Sequence, residues 1–157
     1  MNTELQIGEL LIKNNLKIST VESCTGGLLS SKLTDISGSS AYITLNLVTY
    51  ANEAKENMLK VVLDENGVVS KNCSYQMAKG LYNLTNSDIC VSTTGIAGPT
   101  GGTKEKPVGL MYSTIYSKNK YKNYKINVNP NLQRKQIKEK FVEIVLNNIL
   151  DFLKDEL

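Results

Sequence analysis

The chain contains no histidine and no tryptophan in 157 residues. Without histidine there is no serine-histidine or cysteine-histidine triad, no imidazole acid/base catalysis, and little prospect of a zinc site. A general base must then be a carboxylate, a lysine or a tyrosine. Cysteine is scarce: Cys24, Cys73 and Cys90 are odd in number, far apart and not in C-x-x-C spacing, so neither a disulfide framework nor a metal site is expected. Cys90, in DICVST, reads as a small buried hydrophobe. No apolar run approaches the roughly 18 to 20 residues that span a bilayer. The opening stretch MNTELQIGELLIKN carries acids where a secretory leader carries basic residues, so no membrane partner and a cytoplasmic location are expected. Neither sign of charge dominates, with 18 basic residues against 15 acidic ones. A net charge of +3 is weak support for a nucleic-acid partner, and none is expected.

What is present suits one core. At 41% hydrophobic content, residues 1–157 are long enough for a single domain and too short for two ordinary ones. Leu5, Ile7, Leu10 and Leu11 recur at helical spacing behind a Thr3 cap, predicting an amphipathic first helix over 3–15. A β-rich run then ends at Ser23; Ser23-Cys24-Thr25 is a turn, and Gly26-Gly27 opens a helix over LLSSKLTD. AYITLNLVTY, residues 41–50, reads as a buried strand, and a polar helix starts at Asn52. Residues 70–84 predict a helix with Met77, Leu81 and Leu84 inward. DICVSTT, residues 88–94, has little charge, as a central parallel strand would. Residues 95–109 hold five glycines and two of the three prolines, so they form a long irregular loop of the kind that usually carries function. Residues 110–117 and 120–128 form an edge hairpin turning at Lys118-Asn119, and 131–157 a long helix with Ile137, Phe141, Ile144, Val145, Ile149 and Phe152 on one face. Helices alternating with strands, followed by a hairpin, give an α/β sandwich with a mixed sheet.

Ligands in such sheets sit beyond the carboxyl ends of the strands. Ser23 stands at one strand-to-helix junction, where amides and the helix dipole can hold a phosphate or an oxyanion; an N-cap explains the same serine. Tyr50 and Lys55 flank a second junction. A nucleophilic serine without histidine needs a lysine kept neutral by burial, and Lys55 is the candidate, with Tyr50 as relay or orienter. The alternatives are a solvated Lys55 and a packing tyrosine. Gly95, Gly98, Gly101 and Gly102 let backbone approach a ligand, and Thr93 and Thr94 offer hydroxyls, although the loop is no Walker motif and also fits a structural turn. KNKYKNYK, residues 118–125, is a basic, tyrosine-rich stretch that a lysine-guarded sheet edge accounts for.

Together, VESCTGG (21–27), TDISGSS (34–40), VTYANEAK (48–55), GVVS (67–70), MAKG (77–80) and TGIAGPTGGTKEKPVG (94–109) resemble, in order, the carboxy-terminal domain family of the competence/damage-inducible protein CinA. That family includes stand-alone nicotinamide mononucleotide deamidases. The resemblance implies a three-layer α/β/α sandwich in a single-domain form. It implies hydrolysis of the nicotinamide mononucleotide carboxamide to nicotinic acid mononucleotide and ammonia, with Ser23 as nucleophile and Lys55 and Tyr50 handling protons. A small pyridine nucleotide is the expected partner, bound by Cys24, Thr25, Gly26 and Gly27 and by Thr94, Gly95, Ala97, Gly98, Gly101 and Gly102. No metal or organic cofactor is called for, and self-association into a homo-oligomer is implied. Three departures stand out: Leu45-Asn46 replaces an Arg-Gly pair, Val128-Asn129-Pro130 stands for a Gly-Asp-Arg motif, and Lys71 for an acid. Lost arginines motivate a second hypothesis, a nucleotide-binding module without catalysis. A third, a DNA partner, rests on the family's name and the lysine hairpin.

Overall fold

The structure is a computed structural model that describes residues 2–118 and 120–156. Its elements run α1 (Thr3–Lys13), β1 (Ile18–Glu22), α2 (Leu28–Thr34), a 3-10 turn (Ser39–Ala41), β2 (Ile43–Val48), α3 (Asn52–Leu59), α4 (Lys71–Thr85), β3 (Ile89–Gly95), β4 (Leu110–Ser117), β5 (Lys120–Asn127) and α5 (Arg134–Glu156). The sheet order is β2-β1-β3-β4-β5. β1 pairs in parallel with both β2 and β3, and β3, β4 and β5 pair antiparallel. The carboxyl ends of β1, β2 and β3 therefore meet at one rim.

Two apolar layers hold the sheet. On one face α1, α2 and α5 pack through Ile7, Leu11, Leu29, Phe141, Val145 and Ile149; on the other, Leu59, Cys73, Met77 and Leu81 of α3 and α4 pack on Val21 and Cys90. Each fully buried aliphatic or aromatic side chain contributes about 1.5–3 kcal/mol. The α/β sandwich with a mixed sheet is as expected. Among the described residues no helix is long and apolar enough to cross a membrane.

Several local expectations are corrected. The side chain capping α1 is Asn2, which accepts from the Leu5 amide, and not Thr3. Ala41 and Tyr42 precede β2, with Tyr42 buried against Gly8 and donating to the Leu33 carbonyl. β2 is an edge strand with no fully buried residue and with Thr44 and Val48 exposed, because β-branched content suits an edge as well as a centre. Leu84 is exposed, while Cys73, Ser74 and Ala78 join Met77 and Leu81 inward. α5 starts at Arg134, three residues after the expected Asn131. β4 and β5 do form the edge hairpin; Asn119 of its turn lies outside the described residues, as do Met1 and Leu157.

Candidate active site

The rim is built by the residues that leave β1, β2 and β3. Glu22 ends β1, is paired with Val48, and its carbonyl accepts from the Thr49 amide at 2.9 Å, so Ser23 and Thr49 emerge side by side. The Ser23 amide donates to the Thr93 carbonyl on the other side at 3.1 Å. Ser23 is 9% exposed.

The first junction is held from inside by Glu22. Its carboxylate is fully buried and accepts from the Thr25 hydroxyl (2.6 Å), the amides of Gly27 (3.3 Å), Leu29 (2.9 Å) and Ser30 (3.0 Å), and the Ser30 hydroxyl (2.6 Å). The anion that the α2 amino terminus attracts is thus the protein's own. Because the Thr25 proton goes to Glu22, the 2.8 Å contact between Thr25 and Thr93 is donated by Thr93. Gly26 and Gly27 have φ of +59° and +102°, the left-handed region that glycine enters without strain. The Gly26 amide turns back to the Ser23 carbonyl. This corrects the picture of an open ladder of amides over 24–27: only those of Cys24 and Thr25 donate to no carbonyl or carboxylate among the described residues.

The second junction is chemically opposite. Lys55 lies on the first turn of α3, yet it is fully buried rather than solvated. Its Nζ donates to the carbonyls of Thr49 (2.7 Å) and Tyr50 (3.1 Å). No carboxylate pairs with it among the described residues, and burial pushes its pKa down, opposed by the weaker pull of Cys73 and Cys24. Two acceptors satisfy both N–H bonds of a neutral amine and leave its lone pair free; an ammonium would carry a third proton without a described partner. The Thr49 hydroxyl beside it is buried and likewise unpartnered. Burial raises the Cys24 thiol to about 12, so this neighbour of Ser23 is no thiolate at neutral pH.

Tyr50 meets Lys55 through its main chain, whereas its ring is 58% exposed and its hydroxyl accepts from Arg134 at 3.0 Å. No hydrogen bond joins the Tyr50 hydroxyl or the Ser23 hydroxyl to the Lys55 amine among the described residues. The other arm of Arg134 donates to the Gly98 carbonyl at 2.6 Å, so one guanidinium ties α5, the β2 exit and the loop after β3 together. That loop uses its small residues on itself. A side chain at Gly98 or Gly102 would collide with Val108, and one at Gly95 with Leu110 and Met111. Ala97 is buried in the core, and the Thr94 hydroxyl donates to the Val68 carbonyl. Gly101, at φ +90°, faces open space beyond Ile96.

A cavity of about 390 Å³ lies between the Thr25–Leu28 turn and the start of α5, lined by Thr25, Gly26, Gly27, Leu28, Ser31, Lys135, Lys138 and Glu139, and not by Ser23 or Lys55. The model of the CinA C-terminal domain matches residues 1–153. The chain belongs to the CinA C-terminal domain family. This CinA domain is 44% identical over 153 residues to a CinA-like protein of Endomicrobium trichonymphae, covering 96% of this chain and 34% of that protein. It is 53% identical over 114 residues to a CinA-like protein of Chloroherpeton thalassium, covering 71% and 27%. The CinA domain thus spans about a quarter to a third of these curated relatives. Among solved structures, the competence/damage inducible protein CihA from Agrobacterium tumefaciens superposes with TM-score 0.87 at 34% identity over 98% of this chain and 97% of that one. A CinA superfamily protein from Klebsiella pneumoniae does so with TM-score 0.90 at 25% identity over 99% of each chain.

Two groups at the rim of this CinA domain escaped the sequence. Glu22 directly precedes the serine, and its sequence signal is the pair of hydroxyl side chains at Thr25 and Ser30, three and eight residues on. Val128-Asn129-Pro130 lacks an arginine, and Arg134, just beyond that stretch, supplies a guanidinium to Gly98 and Tyr50.

Proposed function

We propose that this CinA domain is a serine-lysine amidohydrolase acting on the carboxamide of nicotinamide mononucleotide. The observation that carries the proposal is the Lys55 amine: fully buried, without an acidic partner among the described residues, and held by two carbonyls at the strand end next to Ser23. Neutral Lys55 takes the Ser23 proton and the alkoxide attacks the carboxamide carbon. The amides of Cys24 and Thr25 receive the oxyanion. As the intermediate collapses, the Lys55 ammonium returns its proton to the leaving nitrogen, which departs as ammonia. Water, deprotonated by the same amine, then attacks the acyl ester and yields the carboxylate product with Ser23 restored. Arg134 holds Tyr50 and the 95–109 loop around the ring.

The test is ammonia release from the mononucleotide. The wild type should release it, and Ser23→Ala should lose at least about 10³-fold of the rate while melting as the wild type does. No release by the wild type, or undiminished release by the variant, overturns the proposal. A second reading, a binding module of the same fold without turnover, is favoured by the missing hydrogen bond between the Ser23 hydroxyl and the Lys55 amine. It predicts calorimetric binding of the mononucleotide with no ammonia.

A further inference from the structure

Two buried side-chain hydroxyls, those of Thr49 and Ser113, have no hydrogen-bond partner among the described residues. Buried polar groups are nearly always paired, so each calls for an explanation. Alternation along β4 puts Ser113 on the face of Met111 and Ile115, on the side of the sheet packed by α5. Thr49 belongs to the other face. Val21 pairs with Leu47 and Glu22 with Val48, and the ladder runs on as the Thr49 amide donates to the Glu22 carbonyl. Ser23 and Thr49 are therefore neighbours on adjacent strands, and alternation gives both side chains the face of Val21 and Leu47, which α3 and α4 cover. Lys55 comes from that layer, with its Nζ 2.7 Å from the Thr49 carbonyl. Thr49 adjoins both reacting groups: the serine across the strand ladder and the amine through its own carbonyl.

We infer that the Thr49 hydroxyl relays the serine proton to Lys55. The inference rests on the proposed amidase chemistry and deepens its first step. As Ser23 Oγ bonds the carboxamide carbon, whose carbonyl electrons move to oxygen, the serine O–H bond breaks and its proton passes to Thr49 Oγ1. In the same step the Thr49 O–H bond breaks and that proton joins the lone pair of the Lys55 amine. Threonine ends as a neutral hydroxyl and lysine as the ammonium, and the returning proton takes the path backward to the leaving nitrogen. The relay accounts for three observations at once. No hydrogen bond joins the Ser23 hydroxyl to the Lys55 amine, the two carbonyls leave the amine its lone pair, and a buried hydroxyl adjoining both is unpartnered among the described residues. A hydroxyl donates and accepts together, so one group can serve both neighbours. Catalytic hydrogen bonds are often loose in the free enzyme and tighten once substrate is bound.

The experiment compares wild type, Thr49→Val, Thr49→Ser and Ser113→Ala. Ammonia release from nicotinamide mononucleotide is measured with thermal melts of each protein, and the rate at which a sulfonyl fluoride modifies Ser23 is followed by mass spectrometry. Valine has the shape of threonine without the hydroxyl. Thr49→Val should lower kcat by about 10²-fold to 10³-fold with KM within about twofold. It should melt no lower than the wild type, because the hydroxyl it removes bonds to no described residue. Thr49→Ser restores a hydroxyl and should recover at least about a tenth of the wild-type kcat. Ser113→Ala removes the other unpartnered hydroxyl and should leave kcat within about twofold. A Thr49→Val protein that keeps more than about half of kcat overturns the relay, as does a loss that Thr49→Ser fails to restore. If the wild type releases no ammonia, the amidase proposal fails by itself. Sulfonylation of Ser23 that slows at least about tenfold in Thr49→Val would then still sustain the relay, and equal rates, or no modification of Ser23, would overturn it.

Discussion

The two strand-to-helix junctions, β1 to α2 and β2 to α3, have the same backbone plan and opposite electrostatics. At the first, a buried carboxylate is met by five donors, and each amide at the start of α2 that needs an acceptor has one. At the second, a buried amine has two carbonyls and no counter-ion among the described residues, next to an unpartnered hydroxyl. A buried charge with full hydrogen bonding is a structural device, and a buried amine without a counter-ion holds its proton less tightly. In the proposed chemistry, the difference gives rigidity to the Ser23 side and proton transfer to the Lys55 side.

The comparison is broken most severely at Glu22. Glu22→Ala would leave three amides and two hydroxyls buried without an acceptor, and should lower stability by about 3–5 kcal/mol, read from urea unfolding. Glu22→Gln keeps the shape but turns an NH2 group toward donors, and should recover only part of that loss. Lys55→Met should do the reverse. Ammonia release should fall at least about 10³-fold, while stability at pH 7 rises by about 1–2 kcal/mol, since a desolvated amine gives way to an apolar chain of similar length. A Lys55→Met protein less stable than the wild type would show that the ammonium is well accommodated.

The same asymmetry fixes the sign of the pH dependence. The Lys55 pKa is lowered by burial in the folded state, so below the unfolded value of about 10.4 the unfolded chain binds more protons than the native one. Stability from this residue therefore rises with pH between its lowered pKa and about 10.4, and Lys55→Met should flatten that rise. The rate should fall on the acid side as pH drops through the lowered pKa, because only the neutral amine accepts the serine proton. A rate independent of pH across that range would remove Lys55 as the base.

How much of this was legible in the residues depended on range. The β-branched runs ending at Ser23 and Tyr50, and the glycines at 26 and 27, specified the junctions because strand propensity and left-handed turns are local properties. For Lys55 the spacing left two readings open, a lysine buried as base and a solvated one, since Glu53 and Glu56 beside it give α3 a polar face. Its burial depends on how α3 sits on α4 and the sheet, which no local pattern encodes. The loop of five glycines looked like an open ligand cradle. Its glycines instead admit Val108, Leu110 and Met111, which come from the returning chain. The edge position of β2 was hidden because strand composition does not record neighbours.

Arg134 was the least legible, as its partners lie 84 and 36 residues away, and it carries the mildest expected effect. Its guanidinium bridges the Tyr50 hydroxyl and the Gly98 carbonyl without touching Ser23 or Lys55, so it acts by keeping the wall of the site in place. Arg134→Lys retains a charge but not a planar fork that can reach two acceptors at once. It should reduce kcat/KM for the mononucleotide by about fivefold to twentyfold, mainly in KM, with less than about 0.5 kcal/mol lost from stability because the residue is exposed. Tyr50→Phe removes one of the two acceptors and should reproduce part of that change. Adding Arg134→Lys to Tyr50→Phe should then cost less than the two effects multiplied, since both substitutions cut the same bond. Full multiplication would mean that the tyrosine hydroxyl serves something other than the arginine, and would return it to the role of proton relay beside Lys55.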